Sequence, residues 1–297
     1  FVNTSGNGSA VELSGPTVMR GCLFKGNKDV TLNIIYMMGN TASLEDCQIV
    51  DNSTTSSLLC YYGKINRCLI KGNTTSSQLV ELYNSYSSIS NSLICDNVCT
   101  SSYEPICLYG KASMRNCTFV RNSVRVGKIF RLNGAILTNS IIVGNKVNGS
   151  FDGVLLMSES DKITNNMLQN TSVEGNLNAT MEHAAFTDPE NGDYSLSATS
   201  YCINAGTDVA DSLDFLGNPR KQGGAVDMGA IESSHTSAQT STCGDIVYVK
   251  AGAKGNGSSW QSAFGDIQSA IFAASVDGKK HQIWVAAGTY YGDTTLN

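Results

Sequence analysis

A seven-residue phrase with a fixed pattern of apolar and polar positions recurs through the first 170 residues. Its first copy reads Gly-Cys-Leu-Phe-Lys-Gly-Asn and ends at Asn27. The fourth position is always large and apolar, and the second is small. Because alternate side chains of a β-strand point to opposite faces, we predict that both positions face the interior. The fourth-position residues are Phe24, Ile49, Ile70, Ile94, Phe119, Ile142 and Leu168, and the second-position residues are Cys22, Cys47, Cys68, Ser92, Cys117, Ser140 and Asn166.

The phrase closes on an asparagine, and successive closing asparagines lie 21 to 25 residues apart. Asparagine tolerates the left-handed backbone conformation that turns a chain sharply at the end of a strand. Stacked about 4.8 Å apart, their amides can hydrogen-bond from one coil to the next. We therefore interpret them as a structural ladder without catalytic chemistry. Its predicted members are Asn27, Asn52, Asn73, Asn97, Asn122, Asn145 and Asn170.

A second apolar strand precedes each phrase. Two strands and a more variable third segment in each repeat predict one coil of a three-sheeted parallel solenoid. A leucine-rich repeat has a similar length, but its Leu-x-x-Leu-x-Leu spacing is not found. The sequence thus predicts an all-β parallel β-helix with about seven regular coils over residues 1–170. The expected inward pairs of the second strand are Val11/Leu13, Tyr36/Met38, Leu59/Tyr61, Val80/Leu82, Ile106/Leu108, Phe130/Leu132 and Leu155/Met157.

The repeat ends after Asn170, and residues 171–234 form a predicted closing region. It contains Gly-Asn-Pro-Arg at 217–220 and Gly-Gly-Ala-Val-Asp-Met-Gly-Ala-Ile-Glu at 223–232. With the coils, these strings resemble bacterial surface proteins called choice-of-anchor Q proteins. The resemblance implies a right-handed, pectin-lyase-like parallel β-helix. Leu216 stands where such proteins often carry Asp, so a metal role for that turn is not expected.

Residues 235–243 are polar and aperiodic and indicate a linker. Residues 244–297 then predict a strand, a short helix and the strand 282–288. In the helix the apolar positions are Ile267, Ala270, Ile271 and Ala274, and Gly278 acts as a stop. This block resembles the opening of the same class of solenoid, in which an amphipathic helix covers the first coil.

The order of these parts is inverted, because the opening segment follows the closing region. Three explanations stay open. The chain can straddle two modules of a longer protein, its tail can cap its own first coil, or its tail can cap a second copy. Seven coils stack to roughly 34 Å, whereas the linker reaches about 30 Å at most. Capping of the chain's own first coil is therefore marginal unless residues 171–234 run back along the solenoid. We therefore expect a junction with another copy or module, which favours a head-to-tail assembly.

Composition and charge argue against some classes of binding partner. Charged residues make up 15% of the chain and the net charge is -5, so no basic stripe exists to bind nucleic acid. No apolar run is long enough to span a bilayer. The resemblance implies an extracellular location on a bacterial cell surface.

Ten cysteines are present without a Cys-x-x-Cys pair, so a metal or redox site is not indicated. Cys22, Cys47 and Cys68 should stack as buried free thiols, because parallel stacking leaves their Cβ atoms farther apart than a disulfide usually allows. One bridge is conceivable within the set Cys95, Cys99 and Cys107, and another between Cys202 and Cys243.

We identify no set of residues in the sequence that supports an enzymatic role. Family polygalacturonases carry a Gly-His-Gly and an Arg-Ile-Lys segment, and neither string occurs. The acids Asp46, Asp51 and Asp96 form no catalytic carboxylate pair that we can identify. Asp188, Glu190, Asn191 and Asp193 could form a small Ca²⁺ loop, but a solvated turn is the simpler interpretation. We assign no catalytic residue, no metal site and no cofactor.

One candidate binding strip remains, formed by Tyr62, Tyr83 and Tyr109 at matching places on neighbouring coils. Exposed aromatic rings can bind sugars, although a tyrosine stack can also simply support a turn. The sequence therefore favours a structural or adhesive surface protein that partners itself, adjacent modules or surface glycans. The alternatives are a pectin-lyase-like polysaccharide lyase or glycoside hydrolase, and a non-catalytic glycan-binding module.

Overall fold

The computed structural model describes the chain except residues 1, 4, 126–127, 151–154, 172, 209–210, 236–244, 254, 256, 277–279 and 291–297. The chain forms two compact units, Phe1–Ala238 and Gln239–Asn297. Each unit is described by itself. The predicted linker 235–243 lies outside the described residues except for His235.

The first unit is a parallel β-solenoid, as predicted. Its first two sheets each contain seven strands, so the described residues complete about six turns. The first sheet consists of β1 (Val11–Leu13), β4 (Ile35–Met37), β8 (Leu59–Tyr61), β12 (Val80–Tyr83), β16 (Ile106–Tyr109), β20 (Phe130–Asn133) and β24 (Leu155–Leu156). The second consists of β2 (Val18–Arg20), β5 (Ser43–Glu45), β9 (Lys64–Asn66), β13 (Ser88–Ser90), β17 (Ser113–Arg115), β21 (Ile136–Thr138) and β25 (Lys162–Thr164).

Two further sheets complete each coil, so the described coils have four short sheets instead of the predicted three. The third sheet, which carries the repeated phrase, consists of β3 (Leu23–Lys25), β6 (Gln48–Val50), β10 (Leu69–Lys71), β14 (Leu93–Cys95), β18 (Thr118–Val120), β22 (Ile141–Val143), β26 (Met167–Gln169) and β27 (Leu177–Ala179). The fourth consists of β7 (Ser53–Thr54), β11 (Thr74–Thr75), β15 (Val98–Cys99), β19 (Ser123–Val124) and β23 (Lys146–Val147).

The large apolar residues of the phrase form one continuous interior column, as predicted. Ile49 pairs in register with Ile70, and Ile70 pairs with Ile94. All seven members of the column are fully buried. Full burial of one such side chain contributes roughly 1.5–3 kcal/mol. The column therefore supplies a core that runs the length of the solenoid.

The inward pairs of the first sheet are confirmed in most coils but wrong in three. In the second coil the fully buried residues are Ile35 and Met37, whereas Met38 is exposed. A shift of one residue moves every side chain of a strand to its other face. Tyr61 and Met157 were also expected inside and are exposed. Tyr61 has a φ of 85°, and this left-handed backbone turns its side chain outward.

The asparagine ladder forms as predicted through six of its seven members. The amide Nδ2 of Asn73 donates to Oδ1 of Asn97 at 2.9 Å, and Asn97 Nδ2 donates to Oδ1 of Asn122 at 2.8 Å. The left-handed residue is not the asparagine itself, however, but the residue before it, as at Asp51 and Asp96. The prediction placed the turn one position too late.

The predicted seventh member of the ladder is wrong. Asn170 is exposed and adopts a φ of 42°, so it occupies the turn position. The buried amide beneath Asn145 belongs to Gln169, whose Oε1 accepts from the Asn145 backbone N–H at 2.7 Å. In the last coil the longer side chain of Gln169 therefore takes the ladder position that an asparagine occupies in the other coils.

The closing region runs back along the coils. It includes α1 (Met181–Ala184), the 3-10 turn Pro189–Asn191 and the hairpin β28 (Phe186–Asp188)–β29 (Asp193–Leu196). Arg121 of the fifth coil pairs with Glu190 at 2.9 Å, and Asn139 of the sixth donates to the Thr207 carbonyl at 2.8 Å. The region therefore covers the outer side of the third sheet. Because it runs back along the solenoid, the length of the linker no longer argues against capping of the first coil by the same chain.

A buried arginine holds together the two sequence strings of the closing region, residues 217–220 and 223–232. Arg220, only 2% exposed, donates to the carbonyls of Ala230 at 3.0 Å and Asp227 at 3.1 Å. Asp214 accepts from the backbone N–H groups of Asn218 and Glu232. Polar groups buried without partners are costly, so these side chains fix a segment that has almost no regular secondary structure.

The second unit is a small β–α–β layer. It contains β30 (Ile246–Val249) and β31 (Gln282–Val285), which pair in parallel, and α2 (Ile267–Val276) between them. The helix was predicted correctly, but its buried face was not. Ala270 and Ala273 are buried, whereas Ile267 and Ile271 are exposed. No helix in the described part of the chain is long and apolar enough to cross a membrane.

Candidate functional site

The outward side of the first sheet carries a cluster of tyrosines, which we call the tyrosine face: Tyr36, Tyr61, Tyr62, Tyr83 and Tyr109. The rings of Tyr61 and Tyr83 stack at 5.7 Å with planes 17° apart, and those of Tyr83 and Tyr109 stack at 5.0 Å and 20°. The coil spacing of about 4.8 Å places equivalent side chains at stacking distance. The solenoid repeat therefore builds the column.

The predicted strip of Tyr62, Tyr83 and Tyr109 is only partly what the structure shows. Tyr61, not Tyr62, stacks on Tyr83, because its left-handed backbone turns it out of the core. Tyr62 meets Tyr83 at a steep angle of 62° with centroids 6.4 Å apart. Tyr36 also joins the face, edge-on to Tyr61 at 5.1 Å. The sequence pattern missed Tyr36 because it assigned that residue to the interior.

The hydroxyl group of Tyr83 is held by a side chain two residues earlier on the same strand. Tyr83 Oη donates to Oε1 of Glu81 at 2.7 Å. Burial first, and then this hydrogen bond, raise the pKa of Tyr83 above its usual value. Burial and the neighbouring Cys107 likewise raise the pKa of Tyr109. Both phenols therefore stay protonated through the physiological pH range.

A charged pair lies beside the column. Arg131 on β20 donates from Nε to Oε2 of Glu104 at 2.8 Å. Glu104 is only 5% exposed, whereas the side chain of Arg131 is 42% exposed. Glu104 belongs to the loop before β16, so no strand pattern could place it next to Arg131. The return of the chain around the coil brings the two together.

The geometry limits what the face can bind. Nearly parallel rings spaced by one coil cover each other's faces, so they present edges and hydroxyl groups to a ligand. Together with Glu81 and Arg131 these groups can donate and accept several hydrogen bonds. The face thus suits a hydroxyl-rich ligand lying across the coils rather than a sugar sandwiched between rings.

The cysteines bear out the free-thiol interpretation for the described residues. Cys22, Cys47 and Cys68 are free; Cys47 and Cys68 are buried as predicted, whereas Cys22 is partly exposed. The Cys47 Sγ donates to the Glu45 carbonyl at 3.2 Å. Cys95, Cys99 and Cys107 are also free, so the bridge considered among them does not form. Cys202 is buried and free, and Cys243 lies outside the described residues.

The acidic residues considered for catalysis or for Ca²⁺ binding form ion pairs and hydrogen bonds with other side chains of the protein. Asp46 is paired with Arg67 at 2.7 Å and Asp96 with Arg121 at 3.2 Å. In the considered Ca²⁺ loop, Asn191 donates to Asp188 at 2.7 Å and Glu190 pairs with Arg121. Among the described residues no group of three or more His, Cys, Asp or Glu side chains is arranged to hold a metal ion.

Comparison with protein-family models, with curated proteins and with solved structures found no match to this chain. The choice-of-anchor Q resemblance therefore rests on the quoted sequence strings. Any function has to be argued from the tyrosine face and the solenoid that carries it.

Proposed function

We propose that this chain is an exported, adhesive β-solenoid of the choice-of-anchor Q, pectin-lyase-like type, displayed on a bacterial surface, and that it holds a glycan on its tyrosine face. The observation that carries this proposal is the gathering of five tyrosines on one outward face of four successive coils. Tyrosine is enriched at recognition surfaces because it combines a large rigid ring with a polar tip.

The solenoid suits adhesion because its side chains are held rigidly. The stacked rings of Tyr61, Tyr83 and Tyr109 lose little further freedom when a ligand binds, and preorganised side chains lower the entropic cost of binding. A polysaccharide is the ligand class whose many hydroxyl groups match the phenols, the Glu81 carboxylate and the Arg131 guanidinium. Ligand contacts spread over several coils would add through multivalency.

A glycan array with the intact chain tests this proposal. Tyr83→Ala and Tyr109→Ala should each weaken glycan binding about tenfold or more, a free-energy loss of roughly 1.4 kcal/mol. Tyr83→Phe keeps the stacked ring and removes only the hydroxyl, so we expect it to weaken binding less. Leu216→Ala, which removes an exposed apolar side chain of the closing region, is the matched control and should bind like the parent.

Two outcomes would count against the proposal. Unsaturated products or new reducing ends, after incubation with acidic polysaccharides and Ca²⁺, would indicate a lyase or hydrolase instead of an adhesin. Glycan binding that is unchanged in both alanine variants would remove the tyrosine face from the binding site. Circular dichroism of each variant checks that the solenoid is intact.

We further propose that residues 244–297 join the chain to another copy or to an adjacent module, giving a head-to-tail assembly. The support is that β30, α2 and β31 belong to a compact unit of their own, and that the sequence of this segment resembles the opening of a β-helix. Negative-stain microscopy should show filaments or end-to-end pairs that disappear when residues 244–297 are deleted. Isolated rods at every concentration would argue against it.

A further inference from the structure

The second unit carries a row of three aromatic side chains that the proposed function does not use. Tyr248 on β30 lies in register with Trp284 on β31, and the ring of Trp260 also contacts Tyr248. The ring centroids of Tyr248 and Trp260 are 4.9 Å apart, and those of Tyr248 and Trp284 are 6.1 Å apart. We call Tyr248, Trp260 and Trp284 the aromatic row.

The row points away from the small core of the second unit. On β30 the alternate residues Val247 and Val249 are fully buried, as are Ala270 and Ala273 of α2. Strand alternation therefore sends Tyr248 to the opposite face, where Trp260 is 40% and Trp284 45% exposed. The helix covers one face of the strand pair, and the aromatic row occupies the other.

Exposing both tryptophans of the chain on one face requires a reason. The sequence contains two tryptophans, and both belong to this row. Large aromatic side chains bury about 150–250 Å² each when they are covered, so leaving two of them exposed forgoes a large hydrophobic stabilisation. An exposed aromatic cluster is a marker of a binding surface.

The ring geometry distinguishes this row from the tyrosine face. The planes of Trp260 and Trp284 are inclined to that of Tyr248 by 64° and 72°, whereas the stacked tyrosines differ by only 17° and 20°. Edge-to-face rings leave indole faces uncovered, and near-parallel rings do not. A pyranose ring has a flat apolar C–H face that can pack on an uncovered indole.

Polar groups lie where a bound sugar would need them. The Trp284 Nε1–H donates to Oε1 of Gln282 at 3.0 Å, which orients the amide so that its nitrogen can donate to a sugar hydroxyl. Lys250 directly follows β30 and is exposed, so its ammonium group is a further donor on this unit. An apolar platform with a few convergent donors is the usual form of a small-ligand site.

We propose that the aromatic row is a second carbohydrate-binding site, which takes neutral oligosaccharides by stacking sugar rings on Trp260 and Trp284. This site goes beyond the proposed function, since it lies in the other unit and recognises its ligand by a different physical contact. It binds the apolar faces of sugar rings, whereas the tyrosine face binds hydroxyl groups through ring edges and phenols.

Tryptophan fluorescence of the intact chain tests the proposal directly, because both reporters belong to the row. The probes are cellohexaose, xylohexaose, mannohexaose and chitohexaose. At least one should produce a saturable change in emission. Trp284→Ala and Trp260→Ala should each weaken that binding about tenfold or more, while Trp284→Phe, which keeps a ring, should retain part of it.

Two controls separate this site from the tyrosine face and from the fold. Ile271→Ala removes an exposed apolar side chain from α2 of the same unit and should bind like the parent. Tyr83→Ala should leave the fluorescence titration unchanged, even if it abolishes binding on the glycan array. The tyrosine variants therefore test the proposed function, and the tryptophan variants test this inference.

Three results would overturn the inference. The first is the absence of any saturable emission change with all four probes. The second is binding that is unaffected in both tryptophan-to-alanine variants, with both variants folded by circular dichroism. The third is a loss of concentration-dependent self-association in Trp284→Ala without any effect of sugars, which would make the row an interface between copies.

Discussion

Single side chains hold the coils together where the backbone turns. Asn97 is the clearest example, since its Oδ1 accepts from both the backbone N–H and the Nδ2 of Asn73. Its own amide donates to the Ile70 carbonyl at 2.9 Å. The same amide also donates to the Cys95 carbonyl and to Oδ1 of Asn122. One residue therefore satisfies buried polar groups on its own coil and on both neighbouring coils. Such a residue is costly to replace because each lost partner leaves a buried group unpaired.

Replacing Asn97 by alanine should destabilise the solenoid by about 2–4 kcal/mol, because the buried N–H of Asn73 and the Ile70 carbonyl lose their partners. The free energy of unfolding in urea measures the effect. Asn170→Gly is the control, and we expect it to cost less than about 1 kcal/mol because Asn170 is exposed and glycine readily adopts its left-handed backbone. Equal losses in the two variants would contradict the ladder interpretation.

The cysteines differ in reactivity according to burial. Cys117 is fully buried, and burial raises the pKa of its thiol to about 12. Cys22 is partly exposed at the first coil. Because the thiolate is the reactive form, iodoacetamide should label Cys22 in the native protein and leave Cys117 unmodified until urea unfolds the chain. Mass spectrometry of peptides shows the order, and native labelling of Cys117 would disprove it.

At the scale of elements, the closing region depends on buried polar groups more than on apolar packing. Arg220, Asp214 and Asp227 replace the hydrogen bonds that regular strands would supply. The segment consequently keeps one structure although it contains few strands. Its stability should respond to pH because several of these groups are ionisable.

Burial raises the pKa of Glu232 from 4.5 to about 7. The folded chain therefore holds this proton more tightly than the unfolded chain. The resulting stabilisation is fully present below pH 4.5 and is lost as the pH rises through 7. We expect the free energy of unfolding to fall between pH 5 and pH 8, by at most about 1.4 kcal/mol per pH unit from this group.

Urea unfolding at pH 5, 6, 7 and 8 measures the slope, and Glu232→Gln provides the comparison. Glutamine keeps the shape and the acceptor oxygen without titrating, so the pH dependence of the variant should be flatter. An identical slope in parent and variant would show that Glu232 does not titrate in this range.

At the scale of the whole molecule, the solenoid is a one-dimensional stack in which each coil contacts its neighbours. Strands such as β10 have a partner on both sides, whereas β1 has one. Each strand of a central coil therefore hydrogen-bonds to two neighbouring strands, whereas a strand of the first coil hydrogen-bonds to one. Stability along such a stack varies with the number of neighbours.

Hydrogen exchange should follow this gradient. We expect amides of β10 and β14 to exchange at least about tenfold more slowly than those of β1 and β2, because opening a central coil breaks two interfaces. Exchange monitored by mass spectrometry on overlapping peptides measures the rates. The fourth sheet, with two-residue strands, serves as an internal comparison of intermediate protection. Uniform protection along the axis would mean that the solenoid opens as one unit.

Much of this architecture was predictable because periodicity is a local property of the sequence. The recurrence of Ile49, Ile70 and Ile94 at the same place in each repeat predicted strands in register, and the recurring asparagines predicted a ladder. The positions that failed were those where the chain departs from the repeat. Tyr36 was predicted to face the interior in place of Ile35, because a run of apolar side chains does not show which of two adjacent residues points inward.

The candidate sites were harder to predict because they depend on residues from different parts of the coil. Tyr83 and Tyr109 were identified from their matching places, but Tyr61 replaced Tyr62 through one left-handed residue. Glu104 reaches Arg131 only because a loop returns to the sheet. Trp260 joins Tyr248 and Trp284 in the same way.

The sequence by itself therefore determined the parallel solenoid, its interior column and most of its ladder, since alternation and repeat length act between neighbours along the chain. The tertiary structure decided which aromatic rings cover one another and which stay open, because that depends on backbone angles and on loops returning from a distant part of the chain. Recognition is a property of those surfaces, and for this reason the fold was predictable where the binding sites were not.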